Sequence, residues 1–447
     1  MNSAHASDFL FPRDFSRRYP QAVRGEGIYL WDADGRRYLD ACGGAAVVSI
    51  GHGVQQVVQA IHAQASALSY AHTSQFHTPV AAELAANLAA RFPGGGSPRV
   101  HFTSGGSEAT ETAIKITRAY WLARGEPSRA KIISRWISYH GATLGALGVS
   151  GNRLRRAAYA PLLADTPFIS ACYCYRCPFE MEFPACNLAC ARELEQAIVR
   201  AGPENIAGFI FEPIVGASSG AVPPDGYLTV IREICDRFGI LMIADEVMTG
   251  AGRTGTYFAV EHWGISPDIV IAGKGLASGY APLGAVLVSE KVWRAIAAGS
   301  GRIDHGFTYQ AHPPALAAGL AVQRILDEQR LIERCRARGE YFARRLEDLR
   351  VLECVGDVRG RGLLQTVEFV ADRATRRPFP RAFNFSGRLY EAMLRRGVLV
   401  YPMRGSAGEG EGDHVLLAPP FIVEEADLDV VVQALADSIA EVSRDAR

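Results

Sequence analysis

Net charge is the first thing this sequence lacks. Its 447 residues carry 47 Lys plus Arg against 47 Asp plus Glu, so the formal charge is zero. Without a basic surplus there is no electrostatic footprint for nucleic acid, and without a like-charge block there is no interaction tail. Long apolar runs are absent too. The Ala-rich segment from Val80 to Ala90 is broken by Glu83 and Asn87, so no stretch reaches the roughly 20 residues of a membrane span. The residues from Met1 to Phe15 include Asp8, Arg13 and Asp14 and lack the continuous apolar centre of a signal peptide. A cytoplasmic location is the resulting expectation. Nine cysteines, an odd number in a large chain, fit reduced thiols better than a disulfide framework. No internal repeat is visible.

What is present is a large apolar fraction, 48% against 21% charged. That is enough for two or three structural units and for some surface hidden in an oligomer. After an irregular arm, Gly27–Trp31 and Arg37–Asp40 read as paired strands around an Asp34-Gly35 turn. Helical patterns follow at Val54–Leu68 and Pro79–Phe92, the second closed by Pro93-Gly94-Gly95-Gly96. Short apolar runs then alternate with helical stretches: Arg99–Thr103, Lys131–Ser134, Gly208–Phe211, Ile240–Ala244, Asp268–Ile271 and Gly284–Val288. Alternation of this kind predicts an α/β fold with a largely parallel sheet covered by helices on both faces. Beyond His312 come longer charged helices, Ala315–Asp327 and Leu331–Leu349. Strands at Gly362–Val370 and Val398–Tyr401 and a helix near Glu425–Ser443 complete the chain. The expected division is an arm with part of a small domain at 1–60, a large domain at 61–311, and a small α+β domain at 312–447.

The chemistry sits at strand ends. Lys274 lies between Gly273 and Gly275 after an apolar run, and Asp245 closes Leu241–Ala244. A lysine there is costly to charge and suits nucleophilic attack on a carbonyl. A Schiff-base lysine together with a carboxylate for a pyridinium nitrogen is what a protein supplies to pyridoxal 5'-phosphate (PLP). Glu246, next to Asp245, could instead carry that role, so chemistry alone does not make the assignment unique. Glu212 also follows a strand, so three motifs point to one sheet edge, where open α/β sheets bind ligands. Thr103–Ala109 passes from strand to helix with Gly105, Gly106 and Ser107, a phosphate cradle or an ordinary capped turn. Tyr139 could stack on a flat heterocycle, and Val247 could press on its other face.

The strings Ser107-Glu108-Ala109, Tyr139-His140-Gly141, Phe211-Glu212-Pro213-Ile214, Ala244-Asp245-Glu246-Val247, Gly252-Arg253-Thr254-Gly255, Lys274-Gly275 and Gly306-Phe307-Thr308-Tyr309 occur in order. With Gly412-Asp413-His414 and Ala418-Pro419-Pro420, they resemble the class III (ω-type) aminotransferases from about Tyr29 to the end. The resemblance implies the fold-type I PLP fold, in which residues 61–311 bind the cofactor, and a homodimer with shared active sites. It implies that Lys274 holds PLP as a Schiff base and shuttles a proton, and that Asp245 keeps the pyridine nitrogen protonated. Gly106 and Ser107 would hold the phosphate, joined by Thr308 of the second subunit, while Tyr139 and Val247 flank the ring. Glu212 and Arg404 would be the gating acid and mobile arginine for a substrate carboxylate; Arg404 opens a Gly-rich stretch that ends at Gly412, fitting a moving loop. Gly105, Ala46, Ala251 and Gln310-Ala311 depart from the family pattern and imply a differently shaped pocket. The expected activity is transfer of an amino group from an amine or ω-amino acid to a 2-oxo acid such as pyruvate or 2-oxoglutarate. An amino-acid racemase or aminomutase needs the same core residues, and a non-catalytic descendant is disfavoured by intact Lys274 and Asp245.

One feature stands outside this resemblance. Cys172, Cys174, Cys177, Cys186 and Cys190 crowd one segment. They offer enough thiols for a tetrahedral zinc site, though not at finger spacing, and a loop of reduced thiols is the alternative; no metal ligand is assigned.

Overall fold

Near the N-terminus, β1 (Ala22–Glu26), β2 (Tyr29–Asp32) and β3 (Arg37–Asp40) pair antiparallel in chain order. The turn between β2 and β3 forms as expected. Gly35 takes φ +78°, a left-handed conformation open to glycine, and Asp32 Oδ1 accepts the N–H groups of Asp34 and Arg36 at 3.1 and 2.9 Å. The structure, a computed structural model, describes residues 9–408 and 410–446. The first eight residues of the expected arm, Glu409 in the Gly-rich stretch and Arg447 lie outside them.

A seven-stranded sheet dominates the molecule. It comprises β4 (Arg99–Thr103), β5 (Lys131–Arg135), β6 (Phe168–Ile169), β7 (Ile206–Phe211), β8 (Leu241–Asp245), β9 (Ile269–Ala272) and β10 (Gly284–Val288), in the order β4-β10-β9-β8-β7-β5-β6. The pairs from β6 through β5, β7 and β8 to β9 are parallel, whereas β10 runs antiparallel to both β9 and β4. Side chains alternate between faces with the period of two that strands impose. Met242 and Ala244 of β8 join a core with Leu84 and Leu88 of the helix Pro79–Ala89 and Leu228 and Ile231 of the helix Tyr227–Phe238. Leu241 and Ile243 face the other way, towards Ala109, Ala113 and Ile116 of the helix Gly106–Ala123. Both faces are therefore buried, which explains the near-continuous apolar strands.

The C-terminal part contains β11 (Val355–Arg361), β12 (Leu364–Phe369), β13 (Val398–Leu399), β14 (Tyr401–Arg404) and β15 (Asp413–Leu417). The strand expected at Val398–Tyr401 is divided. β13 pairs parallel with β3, adding to the N-terminal sheet, while β14 pairs with β15 in the antiparallel sheet β11-β12-β15-β14. β11, β15 and the helix Phe385–Arg395 had no clear sequence signal. Gly356, Gly360 and three charged residues blur the alternation of β11, so its place depends on pairing with β12 rather than on local pattern. Among the described residues, no helix is long and apolar enough to cross a membrane.

Candidate active site

β7, β8 and β9 are parallel neighbours, and each delivers a functional group at its carboxyl end: Glu212, Asp245 and, after Gly273, Lys274. Pleating sends Asp245 and Glu246 to opposite sides. Asp245 continues the Leu241–Ile243 face and is 3% exposed. His140 Nδ1–H donates to its Oδ2 at 2.6 Å, and the Val247 N–H donates to its Oδ1 at 3.0 Å. Glu246 turns to the opposite side, where it accepts the Thr249 hydroxyl and the Val260 N–H. Burial raises the Glu246 carboxyl to about 7. His140 is the site residue that sequence reading missed. It stood in the quoted Tyr139-His140-Gly141 string, but its partner is 105 positions away.

Lys274 is partly buried and takes φ +45°, a conformation that a non-glycine residue holds only when its surroundings enforce it. Burial lowers its amine from the ordinary lysine range; Asp245 and Glu212 oppose that shift and Arg155 adds to it. Glu212 is buried, which raises its carboxyl, while the neighbouring His140 counteracts. Its two oxygens accept the N–H groups of Tyr139 at 2.9 Å and Gly216 at 2.8 Å, so backbone bonds fix its position.

The start of the helix Gly106–Ala123 reaches the same place. Its first-turn N–H groups precede any intrahelical acceptor and can serve an anion. A Cβ on Gly106 would come within 2.9 Å of Val247 Cγ1, so the β4–helix turn and the end of β8 approach too closely for any other residue. Gly273 lies against the same pair, which brings the Lys274 turn to the cradle. Ser107 Oγ accepts the Ala142 N–H at 3.0 Å, leaving its own proton to donate. Tyr139 is partly buried beside this group, with the Arg155 guanidinium carbon 4.4 Å from its ring centre.

Two expected residues are engaged in other contacts. Thr308 is exposed, and its carbonyl accepts the Tyr70 hydroxyl at 2.9 Å. Arg404 is not on the Gly-rich loop but ends β14, opposite Asp413 of β15. Its Nη2 donates to the Arg381 carbonyl at 2.5 Å, and its Nε lies 3.7 Å from Asp413 Oδ1. The loop after it is closed by the bonds Gly405 N–H to Gly412 O and Ala407 N–H to Glu411 O, each 3.0 Å. Among the described residues, no three Cys, His, Asp or Glu side chains converge to hold an ion. Cys172 is instead buried against Arg135, whose Nη1 donates to its sulfur at 3.0 Å.

A carboxylate backed by an imidazole, a lysine made less basic by burial, and a helix-start cradle thus share one sheet edge. That donor set fits a phosphorylated pyridine aldehyde. A family model described as Aminotransferase class-III matches residues 15–439. Among curated relatives, the uncharacterized aminotransferase YodT of Bacillus subtilis is 40% identical over 440 residues, covering 98% of this chain and 99% of the relative. Putrescine–pyruvate aminotransferase of Pseudomonas aeruginosa is 35% identical over 414 residues, covering 92% and 88%. Among solved structures, an amine transaminase from an uncultivated Pseudomonas species in its PLP-bound form aligns with a TM-score of 0.91 at 36% identity, covering 99% of this chain and 100% of that one.

Proposed function

Since the chain belongs to the class III aminotransferases, we propose that it moves an amino group from an amine or ω-amino acid to a 2-oxo acid, with Lys274 as the residue that exchanges the cofactor. The cofactor is PLP. When bound it supplies an aldehyde for amine exchange and a ring that accepts electrons from the substrate Cα. The protein's own residues do the rest. In this reading Lys274 holds the aldehyde carbon between turnovers and then carries the proton at the substrate Cα. Asp245, held by His140 and the Val247 N–H, orients and stabilises a protonated ring nitrogen. Gly106 and Ser107 bind the phosphate, and Tyr139 and Val247 flank the ring.

The convergence of Asp245, Lys274 and the Gly106–Ser107 cradle at one edge carries this reading. A homodimer belongs to the same proposal. Thr308 adjoins the exposed aromatics Tyr70 and Tyr309, the kind of surface a second subunit covers, and from there it would complete the phosphate site. The division at 1–60, 61–311 and 312–447 is retained as the domain organisation. Glu212 and Arg404 are retained as substrate residues, with Arg404 required to leave Arg381 and Asp413 before gripping a carboxylate.

The test is to incubate PLP-loaded protein with putrescine, other amines and ω-amino acids, each with pyruvate or with 2-oxoglutarate. Formation of alanine or glutamate is expected. Racemisation or rearrangement of an amino acid, without amino transfer to either acceptor, would overturn the assignment.

A further inference from the structure

The crowded cysteines lie on a segment that runs from β6 to the helix Ala189–Ala201, and only its first half is docked. Tyr173 and Arg176 reach Glu368 on β12, and Arg376 Nη1 donates to the Tyr175 carbonyl at 2.7 Å. The second half is different. From Pro178 to Asn187, every hydrogen bond among the described residues stays within the stretch or joins Cys177 or the helix that follows. Glu180 N–H donates to the Cys177 carbonyl, Cys186 N–H to Glu182 and Asn187 N–H to Pro184, at 3.1, 2.9 and 3.0 Å.

Burial is inverted in that stretch. From Glu180 to Asn187 every residue is exposed except Cys186, and Met181 and Phe183 stand 50% and 43% exposed. A loop folded by apolar contact would turn Met181 and Phe183 inward and leave a small thiol outside. This one does the opposite. An irregular stretch with no core of its own needs a cross-link or an ion to hold one shape.

The neighbouring thiols complete a set. Cys174 opens a single helical turn, Cys174–Arg176, and Cys177 closes it. Cys190 lies in the first turn of the helix Ala189–Ala201, and Cys186 precedes it by one turn, its carbonyl accepting the Ala189 N–H at 3.1 Å. Cys177, Cys186 and Cys190 are partly buried. After burial, the charges of Cys172, Cys174, Cys186 and Cys177 raise the Cys190 thiol, so these side chains are neighbours in space. Cys172 is already engaged by Arg135, which leaves two close pairs, Cys-x2-Cys and Cys-x3-Cys, the complement of a closed tetrahedral site.

From this placement we infer that Cys174, Cys177, Cys186 and Cys190 are the ligands of a structural zinc ion that holds the loop between Arg176 and the helix Ala189–Ala201. Sulfur-only ligation selects zinc or an iron–sulfur cluster over oxygen-seeking ions, and a closed set suits zinc in a structural role. No three of these thiols converge in this structure; rotation about χ1 brings them to the ion, and each gives up its proton as its Zn–S bond forms. By fixing Cys174 and Cys177 on either side of Tyr175 and Arg176, the ion also steadies the grip of this segment on Glu368. The site stands apart from the aminotransferase chemistry, so its absence would leave that assignment untouched.

Full-length protein purified under reducing conditions should carry one zinc per chain by elemental analysis, and stripped protein should take up one equivalent of zinc chloride. C174S and C186S should lose the metal, whereas C354S, beside Ser443, should keep it. Cobalt in place of zinc should show the strong charge-transfer bands of thiolate ligation. Stripped protein should be cut faster by chymotrypsin between residues 178 and 187, with the lysine-linked PLP absorption unchanged. Protein that carries no zinc and takes none up would overturn the proposal, as would zinc retained in both C174S and C186S, stoichiometric iron in its place, or a disulfide among these four that persists in the reduced preparation. Should both variants fail to fold, the cobalt spectrum of wild type decides: bands without thiolate charge transfer would overturn it.

Discussion

Two buried polar clusters in this molecule invite comparison. Around Glu368 on β12, every charge is tied. Its carboxylate is fully buried and accepts Arg176 Nε at 2.6 Å, Arg359 Nη2 at 2.7 Å and the Tyr173 hydroxyl. Burial opposes the charge, but the two guanidiniums hold the carboxyl below its usual range. At the edge of the large sheet, by contrast, charges are held but not consumed. Asp245 is oriented by His140, yet Lys274, Arg155 and the first N–H groups of the helix Gly106–Ala123 are left with donors to spare. A buried network whose charges are paired with one another supports a fold; one that leaves a lysine and helix-start donors unpaired is arranged for something that arrives later.

That contrast can be broken in order of effect. The largest change is expected from Lys274→Ala, which should cut amino transfer by about 10⁴-fold or more and remove the lysine-linked visible absorption, while the melting temperature without added PLP stays near wild type. Glu368→Ala should do the reverse. Leaving Arg176 buried without its anion, and Arg359 with Asp357 alone, should cost about 3–5 kcal/mol of stability, read by denaturant titration, while the turnover of the remaining folded protein is unchanged. Asp245→Asn should keep the cofactor attached but slow turnover by about 10²–10³-fold, the size of effect seen when one preorganised electrostatic group is lost.

The smallest of these effects concerns Glu246. Its folded-state pKa of about 7 lies above the unfolded carboxylate value, so the folded protein holds an extra proton between these two values. Stability should therefore fall as pH rises from about 4.5 through 7, by up to about 3 kcal/mol, and level off above. Chemical denaturation across that range should show this slope in wild type and lose it in Glu246→Gln. A slope that persists in the variant would assign it to another group.

The legible parts of the sequence were those where local pattern and chemistry coincide. Apolar runs ending in Glu212, Asp245 and Gly273-Lys274 mark strand ends directly, because both faces of the sheet are buried. What stayed hidden depended on tertiary pairing. His140 meets Asp245 only after β5 and β8 are in one sheet. Arg404 read as a loop residue because Gly405 to Gly412 follows it, yet Asp413 on β15 draws it into a strand. Arg155 sat in a run of basic residues, Arg153-Leu154-Arg155-Arg156, in which nothing local tells a solvated arginine from one laid on Tyr139. The cysteines of Cys172–Cys190 suggest a metal by number, and in the fold they stay neighbours: burial and then Cys172, Cys174, Cys186 and Cys177 raise the Cys190 thiol.

The central claim is that Lys274 carries the cofactor through two half-reactions, and the visible absorption of PLP-loaded protein tests it most directly. The lysine-linked band should bleach when an amine donor is added alone and return when pyruvate or 2-oxoglutarate follows, with no such cycle in Lys274→Ala. A band that persists while the donor is racemised or rearranged, or a full cycle in the Lys274→Ala protein, would contradict it.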